Sequence, residues 1–173
     1  MRTAGFILLV WLAIAFFNAG CSLIAPTQQN EGELVLTLSL DANNYTTDAP
    51  IQATVQLQNA GKESPLVNRR MAMSSPAAPK ELREIVFIVI GPTGTELPIA
   101  ARINLRLPQS SDFATLAPGA VVQRDYSLRD FFSFDQPGQY TITAVYQNSS
   151  DPPSGDETWK GEVHSNSVAI AVR

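Results

Sequence analysis

Apolar and polar residues alternate with period two along most of this chain after residue 33. Leu34, Leu36, Leu38 and Leu40 are interleaved with Val35, Thr37 and Ser39. Ile51, Ala53, Val55 and Leu57 are interleaved with Gln52, Thr54, Gln56 and Gln58. A two-residue period puts each side-chain type on its own face, so both stretches predict half-buried strands. Asp48-Ala49-Pro50 is expected to start the second of them. Leu66-Val67-Asn68 predicts a short third strand. Residues 84 to 90 follow, and from Ile85 to Ile90 every position is apolar. That predicts a strand buried on both faces, in a central position. Ala120 to Leu128 puts Val122, Tyr126 and Leu128 on one face and Gln123, Asp125 and Ser127 on the other. Arg124 falls on the apolar face. It is expected near an edge, where its stem packs and its head reaches water. Tyr140, Ile142, Ala144 and Tyr146 alternate with Gln139, Thr141, Thr143 and Val145. Trp159 to Ser165, and then Val168, Ile170 and Val172, close the chain as one strand or a pair.

Turn chemistry separates these runs. Asp41 to Tyr45, Asn59 to Lys62, Gly91 to Gly94, Leu116 to Gly119 and Asp135 to Gly138 carry the Gly, Pro, Asn and Asp that turns require. Thr95 to Pro98 is expected to return as a short partner strand. Ile103, Leu105 and Leu107 alternate with Arg102, Asn104 and Arg106, which predicts an edge strand with a basic outer face between Pro98 and Pro108. Phe131, Phe132 and Phe134 are expected to plug one end of the core. Tyr140 stands two residues after the Pro137-Gly138 turn. Such a tyrosine buries its ring and returns its hydroxyl to upstream backbone. The chain shows no convincing amphipathic helix and no repeat. About seven to nine short strands with regular turns predict an all-β, antiparallel β-sandwich.

The N-terminus follows a different pattern. Arg2 precedes an unbroken apolar run of 14 residues, Ala4 to Phe17. A membrane span needs about 20, so this run fits the core of a signal peptide over residues 1–20. It ends in Asn18-Ala19-Gly20-Cys21, which contains the chain's only cysteine. A lone cysteine excludes an intramolecular disulfide. Residues 21–32 are polar and aperiodic and read as a tether, leaving 33–173 as one domain.

Charge narrows the classes of function. Without Arg2 there are 11 basic and 16 acidic side chains, and only three lysines. That balance argues against nucleic acid as a partner. His164 is the single histidine, so no zinc-ligand spacing exists. Asp151, Asp156 and Glu157 lack the order of a calcium loop and read as a solvated acidic stretch. No Gly-x-Ser-x-Gly elbow and no glycine-rich phosphate loop is present. Neither a cofactor nor catalysis is expected. Two features could meet a partner. Arg69, Arg70, Arg102 and Arg106 could form a basic patch for a carboxylate-rich protein or wall polymer, or simply protect an edge strand. The loop Met71 to Pro79 is the second.

Asn18-Ala19-Gly20-Cys21 resembles the lipobox of bacterial lipoproteins, although Asn18 stands where that family usually has an apolar residue. The resemblance implies cleavage before Cys21 and acylation of its thiol; Ser22 then permits the outer membrane in a two-membrane bacterium. Tyr45, Asp48, Pro50, Ile51, Val55, Leu57 and Asn59 resemble the opening of secreted immunoglobulin-like domains. Together with Leu116-Ala117-Pro118-Gly119, the run Pro137 to Tyr146 and Ser165-Asn166-Ser167-Val168, the chain resembles uncharacterised bacterial lipoproteins made of a single immunoglobulin-like β-sandwich. Similar layouts occur beside deuterolysin-type metalloproteases, but this chain has no His-Glu-x-x-His. The resemblance implies an extracytoplasmic, non-catalytic interaction or structural module. It would be held by lipid on Cys21 at the outer membrane or the outer face of the cell membrane. An alternative is a proteinase inhibitor that presents the Met71 to Pro79 loop.

Overall fold

A computed structural model describes residues 34–173. The signal-like run, Cys21 and the tether lie outside the described residues. Nine strands follow in order: β1 (Leu34–Leu40), β2 (Asn44–Tyr45), β3 (Gln52–Asn59), β4 (Leu66–Asn68), β5 (Ile85–Ile90), β6 (Phe113–Thr115), β7 (Val121–Ser127), β8 (Gly138–Asn148) and β9 (Gly161–Val172). The fold is all-β and sandwich-like. One sheet has the order β1-β3-β7, a second β2-β9-β8-β5, and a small ribbon pairs β4 with β6. All pairings are antiparallel except β2 with β9. Among the described residues no helix is long and apolar enough to cross a membrane.

The alternation read from the sequence is the alternation of burial. Leu34, Leu36 and Leu38 of β1 and Ala53, Val55 and Leu57 of β3 enter the core. From the second sheet come Phe87, Val89, Ile142, Ala144, Tyr146, Ile170 and Val172. Burying one large aliphatic or aromatic side chain contributes about 1.5–3 kcal/mol, so these two facing layers hold the fold. Asn166 of β9 ties the layers together. Its side-chain amide accepts from the Leu38 N–H and donates to the Leu38 carbonyl, both at 3.0 Å, as a neighbouring strand would.

Tyr140 takes the corner role expected of it. It is buried, and its hydroxyl donates to the Gln136 carbonyl at 2.7 Å. Phe132 and Phe134 are buried as the end plug, with the Phe134 ring 5.1 Å from that of Tyr140.

Five expectations change. First, β5 is the outer strand of its sheet rather than a central one. Irregular chain covers its free edge instead of a strand: Ser74 and Ala72 bond Ile85 at 2.7 and 3.0 Å, and the Leu97 N–H donates to Val89 at 2.8 Å. The apolar run encoded shelter from water, which loops supply here. Second, Thr95 to Pro98 contributes only an isolated bridge between Glu96 and Ile90, because Pro98 has no N–H to extend a ladder. Third, residues 102–107 form no strand. The chain there turns away to bring Asp112 under Arg106, which leaves Leu107 68% exposed. Fourth, the predicted turn at Asp41 to Tyr45 contains β2, and β6 appears where no strand was expected. Fifth, β9 is one continuous strand beginning at Gly161, so Trp159 precedes it and stacks on Tyr146 at 5.7 Å.

Candidate functional site

The candidate site is built on the turn after β4. Asn68 Oδ1 accepts from the Arg70 N–H at 3.1 Å, a side-chain bond that reverses the chain. Met71 follows in the left-handed region (φ 48°), fully buried. Two tyrosines lock this turn to both sheets. The Tyr126 hydroxyl of β7 donates to the Met71 carbonyl. The Tyr146 hydroxyl of β8 accepts from the Asn68 N–H and donates to the Asn68 carbonyl, each at 3.1 Å. Burial raises the ionisation of both phenols well above the ordinary tyrosine range, so they remain hydroxyl donors.

This anchoring fixes the direction of Arg70. Its Nε donates to Glu84 Oε2 at 3.0 Å, and its Nη2 donates to Glu84 Oε1 and, at 3.0 Å, to the Arg106 carbonyl. Glu84 is 1% exposed, and its Oε2 also accepts from the Ala72 N–H at 2.7 Å. Arg106 grips Asp112 with two bonds, Nη1 to Oδ2 at 2.7 Å and Nη2 to Oδ1 at 2.9 Å. Nη1 of Arg70 lies 3.7 Å from the same carboxylate. The Arg106 guanidinium, more than burial opposes it, holds the Asp112 carboxyl below the usual carboxylate range. The same bond raises Arg106. Asp112 therefore stays ionised at neutral pH and serves as an acceptor.

Arg124 of β7 completes the cluster, donating from Nη1 to the Arg70 carbonyl at 2.6 Å. Its Nε and Nη2 make no hydrogen bond among the described residues. A groove of about 430 Å3 opens here, lined by Arg70, Ala72, Asn104, Leu105, Arg106 and Arg124. Three guanidinium groups face two carboxylates, one positive charge in excess. Guanidinium matches carboxylate geometry with paired donors, so the groove suits an anionic group.

The predicted arginines divide. Arg70 and Arg106 meet in this network, where Glu84 and Asp112 take most of their donors. Arg69 turns to the Ser111 carbonyl at 3.4 Å. Arg102 is exposed and does not join the network. The edge-strand patch drawn from residues 102–107 thus gives way to a groove at the flank of the sandwich. Arg124, its free donor, was visible in sequence as a charge on the apolar face of β7. Cys21 lies outside the described residues.

The other candidates are held close to the scaffold. In the Met71 to Pro79 loop, Met71, Met73, Ser74 and Ala78 are buried, and the exposed positions are Pro76 and Ala77 at the tip and Pro79 at the end. Asp151 receives Lys160 at 2.6 Å and the Thr158 N–H at 3.1 Å, while Asp156 receives Ser154. Among the described residues no group of three His, Cys, Asp or Glu side chains is placed to hold a metal ion. His164 is exposed beside Glu162, at 2.6 Å. No protein-family model matches the chain, and no curated protein matches it.

Proposed function

We propose that this chain is a non-catalytic, lipid-anchored interaction module of the bacterial cell envelope. The corner at Tyr140, the two facing sheets and the plugged end support an immunoglobulin-like type of sandwich over residues 33–173. The 14-residue apolar run ending at Asn18-Ala19-Gly20-Cys21 supports a signal peptide with lipid on Cys21. Residues 21–32 then form the tether. Each buried methylene of an acyl chain contributes about 0.8 kcal/mol, so two or three chains hold such a domain firmly at a bilayer.

The observation that carries the interaction role is the groove at Arg124. Its carboxylates are bound by guanidinium groups, while a cationic donor remains turned to the opening. That is a geometry for holding an anionic group rather than for moving protons. The partner class is an envelope protein or a wall polymer.

Metabolic labelling with an alkyne analogue of palmitate in a bacterial host tests the anchor. The wild-type chain should carry label at Cys21 in the membrane fraction, and Cys21→Ala should carry none. An unlabelled wild-type chain would overturn lipid anchoring.

A further inference from the structure

Strand β7 is the outer strand of its sheet, and no strand pairs with its second edge among the described residues. The direction of its backbone groups follows from two bonds: the Leu128 N–H donates to Ile51, and Ala120 accepts from the Asn59 N–H. Antiparallel ladders alternate. The even-numbered residues of β7 therefore bond to β3, and Val121, Gln123, Asp125 and Ser127 aim their N–H and C=O groups outward. Val121 is 48% exposed. On the far side of the groove, Asn104 to Arg106 belong to the irregular stretch 101–108, which makes no backbone–backbone bond among the described residues. The groove is thus lined by Arg124, from a strand with an open edge, and by a stretch of unladdered chain.

We infer that this groove takes an acidic, extended segment of a partner protein, added as a strand to the free edge of β7 with a carboxylate side chain on Arg124. The main-chain groups of β7 supply bonds to any extended peptide. Specificity comes from the side chains. On an added strand, alternate residues face the same side as Val122 and Arg124. One of these would place a carboxylate against Nε and Nη2 of Arg124, beside the outer face of Arg106. Leu105, half-buried in the groove wall, offers apolar contact to its neighbours. The local excess of positive charge stands out on a protein of net charge −4. A charge on the inward face of an edge also blocks the wrong partner. A second copy of β7 brings another Arg124 and is repelled, whereas an acidic strand is drawn in.

This inference rests on the reading of the chain as an interaction module and is independent of lipid attachment, which the labelling of Cys21 tests separately. The test is fluorescence anisotropy of labelled octapeptides with the purified full chain in detergent. The peptides are four Val-Glu, four Val-Lys and four Val-Gln repeats. The Val-Glu peptide should bind most tightly and weaken with added salt. Arg124→Gln should weaken it about tenfold, the loss of one charge-assisted pair. Gln123→Pro removes one outward N–H and leaves the backbone ladder to β3 intact, so it should also weaken binding, with only a small fall in melting temperature from the lost side-chain bond to Gln56. In the unsubstituted chain, bound Val-Glu peptide should slow amide exchange at Gln123 and Asp125, a readout that needs no variant. Equal binding of the Val-Lys peptide, or Val-Glu binding that leaves those amides unprotected, would overturn the proposal. Val-Glu binding that survives Arg124→Gln unchanged would overturn the acidic assignment.

Discussion

Glu84 is the most deeply buried carboxylate among the described residues, at 1% exposure immediately before β5. A charge in that position costs several kcal/mol of lost hydration unless partners replace the water. Arg70 and the Ala72 N–H are those partners, and each also fixes a piece of irregular chain. Glu84→Gln keeps the shape and removes the charge, leaving a buried guanidinium without its main counter-charge. It should destabilise the fold by about 3–5 kcal/mol, as should Arg70→Met. The double variant should lose less than the sum of the two, because neither charge is then stranded. Urea unfolding of the four chains measures this directly. Strict additivity would mean that the two residues act separately.

At the scale of elements, Gly138 decides how β8 enters its sheet. Its φ of +146° is one that residues with a Cβ rarely adopt, and a Cβ there would stand 2.6 Å from Cβ of Pro92. Gly94 has a φ of +77° with open space around it. Gly94→Ala should therefore cost only the left-handed backbone penalty, about 1–2 kcal/mol. Gly138→Ala should add the overpacking penalty, about 1–3 kcal/mol more. Thermal melting of both variants separates the two contributions, and equal losses would show that the contact with Pro92 relaxes freely. The same logic explains which elements were legible in sequence. β1, β3, β7 and β8 are long enough for a two-residue period to repeat, and each was placed by it. β2 and β6 are two and three residues long and carry no period. Residues 102–107 have the period without a partner, since pairing depends on chain elsewhere. β5 shows that an apolar run reports burial and not position in a sheet. The site was half legible. Arg124 betrayed itself as a charge among apolar neighbours. Arg70 with Glu84, and Arg106 with Asp112, are joined by loops that hold only a single three-residue 3-10 turn each, which leaves no pattern to read.

For the whole molecule, the buried phenols and the bonded carboxylates set opposite limits on pH. Tyr45 is pushed up to about 12, chiefly by burial and then by its hydrogen bond to Asp41. Tyr126 and Tyr146 are raised by burial as well. An unfolded tyrosine ionises near pH 10, so the unfolded chain releases protons there that the folded chain retains. The stabilisation from these phenols is complete below about pH 10 and is lost as pH rises above it. Asp112 works in the other direction. Its carboxyl is held down first by the Arg106 bond, so its contribution is present above the unfolded value of about 4 and fades as pH falls below it. Asp48 and Asp151 are lowered too, through Thr46 and Lys160, but both are exposed and weigh little. The melting temperature of the chain should thus be nearly level between about pH 5 and 9 and fall on both sides. Circular-dichroism melts in dilute solution from acid to alkali measure the profile. Tyr126→Phe identifies the alkaline arm, because it removes one of the three raised phenols. It should lower stability at neutral pH, through loss of the bond to Met71, and make the alkaline fall shallower. An alkaline fall of unchanged steepness in that variant would place the sensitivity at Tyr45 and Tyr146 instead.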